Sequence, residues 1–197
     1  MSSPEGPDRL DAFHWAFDKA YPAIRFTYER ILGHAWFSQI TPRLWIGGAP
    51  TYRRDYDALI ADGITAVLDV RAERDADLEF YDARGVAHRR FHVPDIGVPD
   101  EGQLTEAIGW IDAQLADGRT ILVHCAKGRG RSATVLAAYL MRTDGMSFDE
   151  ASELLHSKRS LVKLEDRHRR VLESWITTQP GSSSMTATPS EGRSADG

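Results

Sequence analysis

The chain of 197 residues contains a single cysteine, Cys125, and this scarcity limits the kinds of site that it can form. One cysteine excludes an intramolecular disulfide framework and any zinc site built from several thiolates. Packing alone must therefore hold the fold together, and a hydrophobic content of 42% is enough for the core of one domain. If Cys125 has a chemical function, it acts as a thiol.

The sequence also lacks an excess of basic charge and any long apolar run. It has 24 Lys and Arg against 29 Asp and Glu, a net charge of −5 and a pI of about 5.8. Nucleic-acid binders usually have an alkaline pI, so we expect no nucleic-acid partner. No segment approaches the roughly 18 apolar residues of a membrane span, and the first residues lack the apolar region of a secretory signal. We expect a cytoplasmic protein without a transmembrane segment, and peripheral membrane contact stays open.

The two ends of the chain differ in composition from its middle. Residues 1–9 and 178–197 are polar, which predicts disorder because such segments cannot offset the entropy cost of ordering. Residues 10–37 hold eight of the 18 aromatic residues at near-helical spacing, which predicts aromatic-rich N-terminal helices. We favour docking of these helices on the core over a membrane or partner surface, because aromatic stripes usually belong to a core.

Between residues 38 and 177, strand and helix patterns alternate. The predicted strands lie at 43–47, 64–70, 88–93 and 120–124. The predicted helices lie at 52–61, 72–84, 104–115, 132–142 and 147–156, followed by one that carries Leu164, Val171, Leu172 and Trp175. Strands separated by helices predict an α/β fold with a central, mainly parallel twisted sheet of four to five strands flanked by helices.

The most informative segment is VHCAKGRGRS at residues 123–132, between a predicted buried strand and a predicted buried helix. In an open α/β sheet, ligands bind at the carboxyl ends of strands, where the N-terminus of the following helix favours a phosphate. Gly128 and Gly130 allow the loop to direct its backbone amides at an anion. Arg131 can bind two phosphate oxygens through its planar guanidinium. The segment therefore predicts a phosphate-binding loop.

Cys125 lies at the centre of this positively charged loop. A helix N-terminus and nearby cations can lower the pKa of a thiol from about 8.5 to between roughly 3.5 and 7.5, which would make Cys125 a thiolate at neutral pH. Ser132 can hydrogen-bond that thiolate, and His124 can orient the loop. Free cysteines are often inert core residues, but His, Arg, Ser and two glycines around this one favour a functional loop. A nucleoside-triphosphate loop is excluded, because it requires a Gly-Lys-Ser/Thr sequence that is absent here.

The pattern His124-Cys125-x5-Arg131-Ser132 resembles the signature loop of the protein tyrosine phosphatase superfamily, and AKGRGRS is similar to its dual-specificity branch. The resemblance covers about residues 38–177, including the opening strand at 40–48 and the buried helix at 132–140. It implies a phosphatase catalytic domain, a cysteinyl-phosphate intermediate, and no metal or other cofactor. The phosphate-binding loop that it implies consists of Ala126, Lys127, Gly128, Arg129, Gly130 and Arg131.

This chemistry needs a general acid, because an alkoxide or phenoxide leaves poorly without a proton. In the family, an aspartate some 30 residues before the cysteine supplies it. Asp95 lies 30 residues before Cys125, directly after a predicted strand and between Pro94 and Gly97. Asp100, 25 residues before Cys125, is the alternative. Spacing and position favour Asp95.

The sequence therefore predicts a cysteine-dependent phosphatase for phosphate monoesters, with dual-specificity protein phosphatase activity as the first interpretation. A phospholipid-headgroup phosphatase is the alternative, because the loop charges on Lys127 and Arg129 suit an anionic headgroup, and similarity extends to phosphatidylglycerophosphate and phosphoinositide phosphatases. The expected partner is thus a phosphorylated protein or an anionic phospholipid. Sulfur transfer by a rhodanese-like fold and a non-enzymatic phosphate-binding module are further alternatives.

The remaining charged residues carry weaker signals. Asp69, Arg71 and Glu73 follow a strand end and are interpreted as structural. The basic stretch at 157–170 is interpreted as a solvated helix face, with a rim for an acidic substrate as the alternative. The histidines show no metal-ligand spacing.

Overall fold

The computed structural model describes residues 23, 25–73 and 78–179, and the chain divides into two compact units, residues 1–38 and 39–197. In the described part of the first unit, a π-helix spans Thr27–Ile31. Arg25 pairs there with Glu29 at 2.8 Å and lies over the ring of Trp36. The predicted disorder at residues 1–9, the part of the predicted disordered tail 178–197 that follows residue 179, and most of the predicted N-terminal helices lie outside the described residues.

A five-stranded sheet is built from residues 37–125. Its strands are β1 (Phe37–Thr41), β2 (Leu44–Gly48), β3 (Ala66–Asp69), β4 (Ala87–Arg90) and β5 (Ile121–Cys125). The spatial order is β1-β2-β5-β3-β4, and the pairs β2–β5, β5–β3 and β3–β4 are parallel. Every residue of β3 and β5 is buried, as expected for central strands covered on both faces. The prediction of a mainly parallel sheet flanked by helices is confirmed.

The described residues from 39 onward contain six α-helices. They are α1 (Arg53–Ala61), α2 (Leu78–Asp82), α3 (Glu101–Ala116), α4 (Arg131–Thr143), α5 (Phe148–Lys158) and α6 (Asp166–Thr177). Right-handed crossovers place α1 and α2 on one face of the sheet. The connection from β4 to β5 runs the other way across the sheet, so α3 covers the opposite face, where it contacts α4 and α6. No helix in the described ranges is long and apolar enough to cross a membrane.

Helix α4 is the central helix of its layer. Ala133, Val135, Leu136, Ala137 and Leu140 are all at most 1% exposed, which agrees with a sequence that is apolar nearly all round. Because α4 follows the phosphate-binding loop directly, its rigid packing fixes the end of that loop.

Two predicted elements are shorter in the structure than in the sequence patterns. Of the helix predicted over 72–84, the described residues are helical only at Leu78–Asp82, and Glu73 lies in a bend. The strand predicted over 88–93 ends at Arg90, because the chain then turns, with Val93 N donating to Phe91 O at 3.0 Å. Both differences lie beside the carboxyl edge of the sheet, where the chain departs from regular structure to reach Arg131.

Candidate active site

The predicted site residues meet at the carboxyl edge of the central strand. β5 ends at Cys125 and α4 begins at Arg131, so residues 126–130 form the loop between them. The strand register places Gly48 of β2 beside Cys125, and Asp69 of β3 beside His124. Loops from three strands therefore converge on the cysteine.

Cys125 is 4% exposed, and Ser132 Oγ donates a hydrogen bond to its Sγ at 3.4 Å. Burial raises the pKa of the thiol, but the charge of Arg131, the Ser132 hydroxyl and the backbone amides of Ser132 and Arg129 lower it. The net effect holds the pKa of Cys125 below its ordinary value. The site thus stabilises a thiolate, the nucleophilic form of cysteine.

Arg131 is 4% exposed and donates hydrogen bonds to three residues. Its two terminal nitrogens donate to the two carboxylate oxygens of Glu73 at 2.6 and 2.7 Å. They also donate to the carbonyl oxygen of Val93 at 2.9 Å and to Asp95 Oδ1 at 3.0 Å. Burial lowers the pKa of Arg131, but the carboxylates of Glu73 and Asp95 raise it by more. The net pKa lies above its ordinary value, so the guanidinium stays charged.

The structure brings Asp95, rather than Asp100, to the loop. Asp95 contacts Arg131. Burial lowers the pKa of the half-buried Lys127, and the charge of Asp95 opposes this effect. Asp100 instead caps α3, since its Oδ1 accepts from Gln103 N at 2.8 Å and its own N–H donates to Gln103 Oε1 at 3.1 Å. Its carboxylate is therefore used by the helix.

Gly128 can be only glycine in this loop. Its φ is +66°, and a Cβ at this position would lie 2.5 Å from the carbonyl oxygen of Gly47. The loop is also tied to its surroundings by Ala49 N, which donates to Ala126 O, and by Lys163 N, which donates to Arg129 O, each at 3.1 Å. These bonds hold the loop through its carbonyl oxygens, whereas the backbone amides of Arg129 and Ser132 bond the Cys125 thiol.

The family model for the dual specificity phosphatase catalytic domain matches residues 44–178. The chain belongs to this family. The predicted superfamily and its dual-specificity branch are therefore confirmed. The match begins with β2 and ends beyond α6, so it includes every element that contributes to the site.

The phosphatase domain has relatives of two kinds. Dual specificity protein phosphatase 1 of Homo sapiens is 37% identical over 125 residues, which cover 63% of this chain and 33% of the relative. Phosphatidylglycerophosphate phosphatase PTPMT2 of Arabidopsis thaliana is 30% identical over 172 residues, which cover 84% of this chain and 75% of the relative. The crystal structure of PTPMT1 in complex with PI(5)P superposes with a TM-score of 0.66 and 26% identity, covering 73% of this chain and 96% of that one. The chain thus spans about a third of the human relative's length.

The structure adds a buried arginine to the phosphatase loop. Arg159 is 1% exposed, and it donates from Nε to Gly128 O at 3.1 Å and from Nη2 to Lys127 O at 2.8 Å. From the sequence, residues 157–170 are interpreted as a solvated helix face. That interpretation is wrong for Arg159 and for His168, each of which is 1% exposed. Arg159 follows Lys158, the last residue of α5, and its backbone is extended, so helical spacing in the sequence does not mark it as buried.

Glu73 has more than the structural role assigned to it from the sequence, because its carboxylate binds Arg131 end-on. Burial raises the pKa of Glu73, but the hydrogen bond and charge of Arg131 lower it below its ordinary value. Arg71 of the same segment forms a buried bidentate pair with Asp69, with both distances at 2.8 Å. The segment that ends β3 and follows it therefore supplies the structural ion pair of Asp69 with Arg71, and the Glu73 carboxylate that binds Arg131 in the site.

His124 lies behind the loop and is fully buried. Its Nδ1 lies 3.4 Å from the carbonyl oxygen of Cys125 and 3.8 Å from Asp69 Oδ1. Burial is the main effect that lowers the pKa of His124 to about 4, and Arg71 and Arg131 add to it. The imidazole is therefore neutral, and it does not add charge behind the thiolate.

Proposed function

We propose that the chain hydrolyses phosphate monoesters through a cysteinyl-phosphate intermediate. The observation that carries this proposal is the buried Cys125 thiol, whose pKa is lowered by Arg131, Ser132 and loop amides. A cysteine of purely structural use needs neither a charged neighbour nor a lowered pKa. Asp95, held at 3.0 Å from Arg131, supplies the acid that the reaction requires.

In the first step, Arg131 and the amides of residues 126–131 bind the phosphoryl oxygens and stabilise the charge that spreads over them. The Cys125 thiolate attacks phosphorus in line. The bond from phosphorus to the leaving oxygen breaks as the Asp95 carboxyl donates its proton to that oxygen.

In the second step, the Asp95 carboxylate takes a proton from water as the water oxygen attacks phosphorus. The bond from sulfur to phosphorus breaks and inorganic phosphate leaves. The Ser132 hydroxyl, 3.4 Å from Sγ, hydrogen-bonds the departing thiolate. His124 keeps the loop in place as a neutral group.

For the substrate class, we propose a phosphorylated protein side chain. The family match and the human relative, whose name is that of a protein phosphatase, support this choice. A phospholipid headgroup is the second candidate, and two observations favour it. The phosphatidylglycerophosphate phosphatase relative aligns with 84% of this chain, and Lys127 and Arg129 add positive charge to the loop beyond that of Arg131.

The mechanism is tested by hydrolysis of para-nitrophenyl phosphate with excess EDTA. We expect turnover by the wild type, none by Cys125→Ser, and a loss of about 10²-fold in kcat for Asp95→Ala, within the range of general acid catalysis. A folded wild type without turnover would favour a binding module. An Asp95→Ala variant with full activity would assign the acid to another residue.

The substrate class is tested by comparing kcat/KM for phosphotyrosine peptides with that for phosphatidylglycerophosphate in anionic vesicles. Preference for peptides supports the first candidate, and preference for vesicles replaces it with the second. Lys127→Ala is measured beside the wild type on both substrates. Loss of this positive charge should lower kcat/KM more for the anionic vesicles than for the peptides.

A further inference from the structure

The turn that carries Asp95 has a strained backbone. Gly97 N donates to Pro94 O at 2.9 Å, which closes a β-turn with Asp95 and Ile96 at its centre. Ile96, the third residue of this turn, has a φ of +63°. Some turn types require a positive φ there, but glycine normally supplies it, and a β-branched residue is strained. The Ile96 side chain is 56% exposed, so its own packing does not impose this conformation.

Arg167 of α6 holds the strained residue from outside. Its Nη1 donates to the carbonyl oxygen of Ile96 at 2.5 Å, across 71 residues of sequence. Its Nε lies 3.1 Å from Glu165 Oε2, an ion pair between two partly exposed side chains. A bond from a charged donor to a carbonyl is stronger than a neutral one. Arg167 therefore offsets part of the strain in the Asp95 turn.

The same end of α6 contacts the phosphate-binding loop. Lys163, just before α6, donates its N–H to Arg129 O at 3.1 Å. His168 is buried beside Gly130, since a Cβ on that glycine would lie 3.5 Å from His168 Nε2. One short segment thus touches both the loop of the nucleophile and the turn of the acid, and it sets the distance between them.

We infer that Arg167 is a positioning residue for the general acid. It fixes the turn at Ile96, so that the neighbouring Asp95 carboxyl stays where it can protonate a leaving oxygen. Small displacements of a positioned group cost large factors in rate, because proton transfer needs hydrogen-bond contact. The inference rests on the proposed function, since Arg167 acts only through the step that Asp95 catalyses.

The test compares a good leaving group, in para-nitrophenyl phosphate, with a poor one, in phenyl phosphate. For Arg167→Met, we expect kcat/KM to fall about tenfold with phenyl phosphate and less with para-nitrophenyl phosphate, because a poor leaving group depends more on the acid. Arg167→Lys keeps one cationic donor and restores part of the loss. Arg170→Met, an exposed arginine on the same helix, is the matched control and leaves both rates unchanged.

A double-mutant cycle completes the test. In the Asp95→Ala background, Arg167→Met is expected to have no further effect, because the acid through which it acts is gone. Equal losses with both substrates, or the same loss in both backgrounds, would overturn the inference while leaving the phosphatase intact. An inactive wild type would overturn the proposed function as well. Thermal melting shows whether Arg167→Met folds, and Arg167→Gln replaces it if it does not.

Discussion

Gly128 combines two constraints at one residue, a left-handed backbone and a carbonyl oxygen 2.5 Å from any added Cβ. We expect Gly128→Ala to lower the free energy of unfolding by at least about 2 kcal/mol, because the clash adds to the backbone strain. Because the loop must shift, phosphatase activity falls too. Urea unfolding and turnover of para-nitrophenyl phosphate measure the two effects.

Gly109 provides the control for this substitution. It is exposed on α3, and an added Cβ meets nothing within 4 Å. Gly109→Ala is expected to raise stability by roughly 0.5–1 kcal/mol, because alanine favours a helix interior. Equal effects of the two substitutions would show that the close approach to Gly47 does not matter.

Glu73 makes stability depend on pH in a defined direction. Arg131 lowers the pKa of its carboxyl in the folded state, so this group stabilises the fold above its unfolded pKa of 4.5. The contribution disappears as pH falls through the lower folded pKa. We expect Glu73→Gln to be less stable than the wild type at pH 7, with a difference that narrows below about pH 4.

Urea unfolding of both proteins across this pH range measures the effect of Glu73. Glu79→Gln, on the exposed side of α2, is the control for the loss of one carboxylate. If the difference in free energy of unfolding between the wild type and Glu73→Gln stays constant with pH, Glu73 stabilises the fold through packing and not through its charge.

At the scale of elements, the cap of α3 separates the two candidate acids. Asp100→Ala is expected to lower the free energy of unfolding by about 1 kcal/mol, the usual contribution of an N-cap, and to leave kcat unchanged. Asp95→Ala should lower kcat and leave the free energy of unfolding nearly unchanged. Paired measurements of urea unfolding and kcat check this, and a kcat loss confined to Asp100→Ala would reassign the acid.

Local signals explain which elements the sequence could predict. The capping box of Ser147 and Glu150, and the apolar run of β5, depend on neighbours within a few residues, and both elements are found where they were predicted. Glu73 and Arg159 reach partners 58 and 31 residues away. No short-range pattern contains such contacts, so their roles needed the structure.

At the scale of the whole molecule, the site exists only when the sheet is assembled. Residues at or just beyond the carboxyl ends of β2, β3, β4 and β5 form the site, and the unfolded chain has no such arrangement. They are Gly47 and Ala49, Glu73, Asp95, and the loop that begins at Cys125. A ligand that binds only the folded state stabilises it by about 2.7 kcal/mol at a hundred times its Kd. We therefore expect inorganic phosphate to raise Tm.

Thermal melting over a range of phosphate concentrations, at constant ionic strength set with sodium chloride, measures this linkage. The rise should continue with the logarithm of concentration, and Arg131→Met should abolish it. A rise of equal size in that variant would place phosphate elsewhere on the molecule.

Because Cys125 is the single cysteine of the chain, it lacks an internal partner for repair after oxidation by peroxide. A thiolate of lowered pKa oxidises readily to a sulfenic acid, which a neighbouring cysteine can trap as a disulfide before irreversible oxidation follows. This chain has no second cysteine to do so. Its recovery from oxidation must therefore come from a thiol supplied by its surroundings, and the rate of that recovery should rise in proportion to the concentration of the external thiol.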